Sequence, residues 1–170
     1  MELAGRYGLT SPLKGNEAKQ LALFLYRKFP VIYAGQDHLE AAAFRWKCQI
    51  HENAKQAALM GVVSEMNHNE ISGFTTVDEL TRKMAVVLLR HPQGDHPRVA
   101  KRFDLLKKVL KGKTGGVREV RALGKSLLAQ MLSVLYLGDF VSVYLAYLKG
   151  VDPSAVDLIE GFKKLLNRSA

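Results

Sequence analysis

The densest concentration of chemically capable side chains is residues 64–70, Ser64-Glu65-Met66-Asn67-His68-Asn69-Glu70. Two carboxylates, two amides and an imidazole share this segment with a single hydrophobe. It follows an apolar stretch and precedes Gly73, which predicts a loop at a strand end, where α/β folds place their sites. His68, Glu65, Glu70 and either His51 or Glu52 would be conceivable metal ligands, but no HExxH or two-histidine helical spacing accompanies them. Amide-rich loops more often hold polar substrates, so no metal and no cofactor is expected. A second polar set lies upstream. At about 100° per residue, Arg45, Gln49, Glu52 and Gln56 fall on one narrow arc of a helix, while Trp46, Ile50 and Ala57 fall elsewhere and can face a core. From helix geometry alone, that arc reads as a solvated face with an i,i+4 ladder.

The elements that must position these residues follow from pattern. Residues 1–16 are rich in Gly, Ser and Pro and read as a linker or extended lead-in; residues 17–170 then form one domain. Leu21, Leu23, Phe24 and Leu25 predict a helix over 17–28, stopped by Pro30. Residues 31–35 are a continuous apolar run ending in Gly35, the profile of a buried parallel strand. Asp37 stands where it can cap a long helix reaching about Met60. Residues 84–89 form a second buried strand, and 117–122 a third, whose alternating charges suit a sheet edge. Residues 126–149 are helical, with Gly138-Asp139 read as a break into two helices, and a final helix spans about 154–166. This alternation predicts a three-layer α/β fold, an open, doubly wound parallel sheet with a long hydrophobic helix bundled on one face.

Composition narrows the function classes. The chain has 25 Lys+Arg against 16 Asp+Glu, a net charge of +9, which favours an anionic partner without naming one. The excess concentrates in residues 98–113, where Arg98, Lys101, Arg102, Lys107, Lys108, Lys111 and Lys113 alternate with Val99, Phe103, Leu106, Val109 and Leu110. That is an amphipathic helix with a solvated basic face. It lacks stacking aromatics and any helix-turn-helix, zinc-knuckle or RNP-like pattern, so no nucleic-acid partner is expected. Residues 127–148 are long enough to span a bilayer, but Asp139 sits at their centre, where a charge costs about 3 kcal/mol or more. A buried core helix is the reading, with no membrane partner. The single cysteine, Cys48, and the absence of a secretory pattern at the N-terminus make a cytoplasmic protein the expectation.

Several segments together resemble a known family. Arg45-Trp46-Lys47-x-Gln49-x-x-Glu52-Asn53-Ala54-Lys55, the 64–70 block with Ile71-x-Gly73, and Gly138-Asp139-Phe140-Val141-Ser142-Val143-Tyr144-Leu145-Ala146 are similar to the C-terminal signature of bifunctional phosphoglucose/phosphomannose isomerases. Gly150-Val151-Asp152-Pro153 and Ile159-x-x-Phe162-Lys163-x-x-Leu166 continue the match in order, and it covers nearly the whole chain. The resemblance implies a sugar-isomerase (SIS), flavodoxin-like α/β half of a metal-free aldose–ketose isomerase. Such an enzyme interconverts glucose 6-phosphate or mannose 6-phosphate with fructose 6-phosphate through a cis-enediol. By position, Glu52 matches the base that moves a proton between C1 and C2, a role suited to a carboxylate whose burial brings its pKa toward neutral. His68 matches the ring-opening histidine, donated in the family from a second subunit, and Lys163 matches a lysine sharing that role. Arg45, Gln49, Asn67 and Glu70 are the expected substrate-binding residues.

The same resemblance implies an N-terminal SIS half, in cis or in trans, supplying the Ser/Thr loops that cradle the substrate phosphate. A homodimer is expected as well. No phosphate cradle is evident here: Gln36-Asp37 makes an acidic turn, and Gly124-Lys125-Ser126 fails as a P-loop because Glu119 occupies the place of its first glycine. The alternative is a non-catalytic sugar-phosphate-binding or dimerisation module on the same fold. Glu52, His68 and Lys163 favour the enzyme; the missing cradle favours the module.

Overall fold

The computed structural model describes residues 2–168. Four strands, β1 (Phe29–Ala34), β2 (Leu59–Val62), β3 (Met84–Arg90) and β4 (Val117–Arg121), form one all-parallel sheet in the order β2-β1-β3-β4. On one face lie α2 (Glu17–Leu25), α3 (Glu40–Ala54) and α7 (Leu127–Lys149); on the other, α6 (Pro97–Val109) and the single turn α4 (Val63–Met66). Strand pleating divides the core accordingly. Ile32, Ala34, Ala85, Val87, Leu89 and Val120 face the three-helix side, and Val31, Tyr33, Val86 and Leu88 face α6. β1 and β3, buried on both faces, are near-continuous apolar runs, as a parallel sheet demands. The expected three-layer, doubly wound α/β fold is present, with β4 at an edge.

Local chemistry starts and stops these elements. Asn16 caps α2 by accepting the Lys19 N–H at 3.1 Å, and Ser126 caps α7 by accepting that of Ala129 at 3.2 Å. Gly150, at φ 67°, closes α7 in the left-handed conformation. The short α5 (Glu79–Lys83) carries a reciprocal Asp78–Thr81 capping box. On the basic face of α6 the cations are exposed, while Phe103, Leu106 and Leu110 are buried, as an amphipathic helix requires.

Several sequence expectations are corrected. The lead-in is not extended throughout: Glu2–Tyr7 form α1, and Tyr7 is buried against Tyr136 and Phe140, its carbonyl accepting the Tyr144 hydroxyl at 2.6 Å. α2 ends at Leu25, and Pro30 lies inside β1 rather than stopping a helix. Asp37 does not cap α3, whose N-cap is Leu39 without a side-chain bond. That helix ends at Ala54 instead of Met60, because Lys55 turns left-handed at φ 49° and His51 Nε2 accepts the Ala58 N–H at 2.9 Å. Ala57 is therefore past the helix and exposed, and residues 59–62 become strand β2.

The expected break at Gly138-Asp139 is absent, and α7 runs unbroken. Gly138 serves packing: a Cβ there would lie 2.3 Å from Trp46 Nε1, so only glycine lets the α3 indole reach α7 and donate to the Val134 carbonyl at 2.8 Å. α7 is long and apolar enough to cross a membrane, yet its buried residues include Gln130, Ser133 and Ser142, and it packs against α2 and α3 as a core helix. The last helix, α8 (Asp157–Arg168), is different. It is strongly amphipathic and buries no residue.

Candidate active site

The His68 segment is built at the C-terminal end of β2. Val63 and Met66 are buried and pin the one-turn α4 to the sheet. The His68 N–H donates to the Glu65 carbonyl at 2.9 Å, and Asn69 Nδ2 donates to Glu65 Oε1 at 2.9 Å. Arg102 of α6 donates to Asn67 Oδ1 at 3.3 Å. Residues Glu70–Phe74 continue as a 3-10 turn anchored by buried Phe74. The Glu70 carboxylate is already engaged, since Oε2 accepts the Tyr33 hydroxyl at 2.9 Å. Burial, and then the neighbouring Glu70 charge, push the Tyr33 phenol far up, so it remains protonated and donates. By contrast, the His68 imidazole is exposed and makes no hydrogen bond or ion pair among the described residues.

The second polar set lies on α3. Arg45 and Gln49 converge on one carboxylate of α7: Arg45 Nη2 lies 3.2 Å from Asp139 Oδ1, and Gln49 Nε2 donates to the same oxygen at 2.7 Å. One turn on, Asn53 Nδ2 donates to Ser142 Oγ at 2.8 Å. These contacts zip α3 to α7 and bring Arg45 Nη2 and Gln49 Nε2 onto Asp139, with the Arg45 side chain half exposed. An open cleft of about 830 Å³ borders this cluster, with Leu3, Leu132 and Tyr136 in its wall. Gln56, the last member of the arc, reaches back to the Lys28 carbonyl at 2.8 Å.

Glu52 is placed differently. Its carboxylate is exposed, has no partner among the described residues, and lines a cleft of about 530 Å³ between the end of α3 and the start of α8. Lys55, Val156, Leu158 and Ile159 line the same cleft. Lys163 stands one helical turn beyond Ile159, exposed, with Nζ 3.0 Å from Glu160 Oε1.

Chain direction separates the two principal residues. α3 carries the chain from the C-terminal edge of β1 back to the N-terminal edge of the sheet, and Glu52 is two residues from its end. His68 lies beyond the C-terminal edge of β2. Glu52 and His68 of one chain thus occupy opposite edges of the sheet, with the length of β2, about 10 Å, between those edges. They do not converge on one reacting carbon.

The family described as Bacterial phospho-glucose isomerase C-terminal SIS domain matches residues 14–166. The chain belongs to that family. It is 42% identical over 165 residues to a bifunctional phosphoglucose/phosphomannose isomerase from Caldicellulosiruptor bescii, covering 97% of this chain and 48% of that protein. A bifunctional phosphoglucose/phosphomannose isomerase from Aquifex aeolicus is 38% identical over 154 residues, covering 91% of this chain and 47% of that one. The SIS chain thus spans about half the length of the curated relatives it matches. Among solved structures, a glucose-6-phosphate isomerase like protein from Thermus thermophilus aligns with TM-score 0.76 and 28% identity, over 91% of this chain and 51% of that one. The tagatose-6-phosphate ketose/aldose isomerase from Escherichia coli, at 17% identity and TM-score 0.61, shares the fold, with 82% of this chain and 41% of that one covered.

Sequence reasoning singled out Glu52 and His68 but missed what surrounds them. In the sequence Asp139 reads as a helix break, Arg102 is one cation among many, and Tyr33 belongs to an apolar strand. Each acts through a partner distant in sequence, and no spacing rule reaches that far. Gly61 was missed with the strand that contains it.

Proposed function

We propose that this SIS domain is the C-terminal half of a cytoplasmic aldose–ketose isomerase that interconverts glucose 6-phosphate, and mannose 6-phosphate, with fructose 6-phosphate. Glu52 is the base that carries a proton between C1 and C2 through the cis-enediol. His68 and Lys163 assist ring opening, and Asn67 helps orient the sugar. The observation that carries this reading is the pair of exposed groups, Glu52 and His68, at opposite edges of one sheet in a chain of this family. Side chains that ion-pair or cap locally need no further partner; these two have none among the described residues. A site assembled from two subunits uses both, with Glu52 of one chain meeting His68 of another. An N-terminal SIS half supplies the phosphate cradle and covers the Glu52 cleft, desolvating the base. It also covers the apolar face of α8, where Leu158 and Phe162 are exposed.

The chain alone should turn over glucose 6-phosphate negligibly, because the binding energy that orients the sugar is missing. Adding an N-terminal SIS half should restore turnover in a coupled assay. Robust activity from the chain alone would overturn the reading. So would a tight complex of the two halves that binds sugar phosphate but never exchanges its C2 proton, which is the behaviour of a non-catalytic module.

A further inference from the structure

β1 and β2 are adjacent, and their register sets Tyr33 directly beside Gly61. Both positions face the α6 side of the sheet, where Tyr33 is buried with Met66 and Phe74, the two apolar anchors that bracket the His68 segment. Gly61 has no side chain, and a Cβ there would lie 2.8 Å from Tyr33 Cε1, 2.8 Å from Glu70 Oε1 and 3.0 Å from Oε2. The missing side chain opens a slot across β2. Through it the hydroxyl of buried Tyr33 donates to Glu70 Oε2 at 2.9 Å. Glu70 is two residues from His68, so this bond ties the far side of the segment to a strand in the middle of the sheet. Arg102 bonded to Asn67 and Asn69 bonded to Glu65 hold the near side.

We propose that Tyr33 and Glu70 are positioning residues that fix the His68 loop through a hydrogen bond threaded over Gly61, and that Glu70 acts in this way rather than as a substrate ligand. The bond couples a rigid strand to an exposed loop whose imidazole has no support of its own. A donor kept protonated by burial and a charged acceptor make it one of the stronger classes of hydrogen bond. Without it, the 3-10 turn would keep the apolar packing of Ile71 and Phe74, but the segment between Met66 and Phe74 would lose the hydrogen bond that joins it to β1. The function assigned to the loop rests on the isomerase reading; the bond itself does not.

The test uses both readouts. Hydrogen exchange followed on the whole chain reads the loop directly, whatever the protein catalyses. Tyr33→Phe, which keeps the ring and deletes the hydroxyl, should raise exchange at the amides of residues 67–71 about tenfold or more while β1 and β3 stay protected. Glu70→Ala should do the same from the exposed end, with no change to the core, and so covers the case in which Tyr33→Phe fails to fold. Glu70→Gln retains an acceptor but loses the charge, so its loop exchange should rise less than that of Glu70→Ala. In the isomerase assembled with an N-terminal half, Tyr33→Phe and Glu70→Ala should slow turnover of ring-closed sugar about tenfold yet change C2-proton exchange of open-chain sugar less than about twofold. Neither should add to the loss caused by His68→Gln. Unchanged loop exchange in both variants overturns the proposal. Equal loss of both activities overturns it too, as does a Glu70→Gln defect matching Glu70→Ala, which would put the carboxylate on the substrate. If the assembled wild type shows no isomerase activity, the isomerase reading fails while the exchange data still decide the lock.

Discussion

The residue that most needs explaining is Glu52, a carboxylate without a partner among the described residues, at the end of a helix whose other polar groups on that arc are engaged. Arg45 and Gln49 hold Asp139, Asn53 holds Ser142, and Gln56, just past the helix end, holds the Lys28 carbonyl. The one carboxylate on that face without a partner among the described residues is the residue proposed as base. Glu52→Gln keeps the shape and removes the basicity. In the assembled enzyme it should cost on the order of a hundredfold or more in turnover and should stop exchange of the C2 proton with solvent. An NMR time course in deuterated water reads this directly, and exchange at the normal rate would remove Glu52 from the role. His68→Gln should instead slow ring-closed sugar more than the open-chain form, leaving C2 exchange partly intact. Stopped-flow comparison of the two substrate forms separates these cases. The sequence pointed to both residues by type, but not to their supports. Tyr33–Glu70 and Arg102–Asn67 are contacts between elements, set by strand register and helix placement rather than by spacing along the chain.

At the scale of elements, two contacts can be tested by stability alone. Gly138 is a point of close approach between α3 and α7. Gly138→Ala would place a methyl against the Trp46 indole and strain the bond to Val134, so it should destabilise the fold by about 1–3 kcal/mol in urea unfolding. The other contact is the ion cluster at the end of β3. Arg90, nearly buried, lies 3.3 Å from Asp95 Oδ2 and 3.2 Å from Glu119 Oε2, and Lys107 lies 2.8 Å from that same Glu119 oxygen. Burial pushes the Glu119 carboxyl up, but its bonds to Lys107 and Arg121 and the charge of Arg90 outweigh this and hold it below the ordinary value. A depressed native pKa adds stability that is fully present above the unfolded pKa of about 4.5 and is lost as pH falls through the native value. Wild type should therefore lose more stability than Glu119→Gln on acidification below about pH 4.5. Parallel pH–stability curves would exclude that contribution.

The elements were legible where composition carried the signal. β1 and β3 are long apolar runs, β4 alternates, and α6 has a clean amphipathic stripe. β2 was not legible, because four residues at a sheet edge, with Leu59 and Met60 not buried, continue the apolar tail of a helix whose stop is a left-handed lysine rather than a glycine. Losing that strand also hid which edge of the sheet each candidate residue occupies. The unbroken α7 was hidden for a related reason: Gly138 reads as a helix breaker until the indole packed against it is seen.

At the scale of the whole molecule, two helices each present exposed large apolar side chains. Leu128 and Leu132 of α7 are exposed, as are Leu158 and Phe162 of α8. Sedimentation should show self-association that gives way to a defined complex when an N-terminal SIS half is added; a clean monomer at high concentration, with no partner present, would count against this. The central claim is that one site takes Glu52 from one chain and His68 from another, and it can be tested by mixing two impaired proteins and following ring-closed sugar. Glu52→Gln and His68→Gln enzymes, each assembled with the N-terminal half, are combined, allowed to exchange subunits, and assayed for isomerisation. Random exchange makes about half the dimers mixed, each with one intact site, so activity should recover to about a quarter of wild type. A mixture no more active than the average of its components after exchange is complete would contradict the shared site.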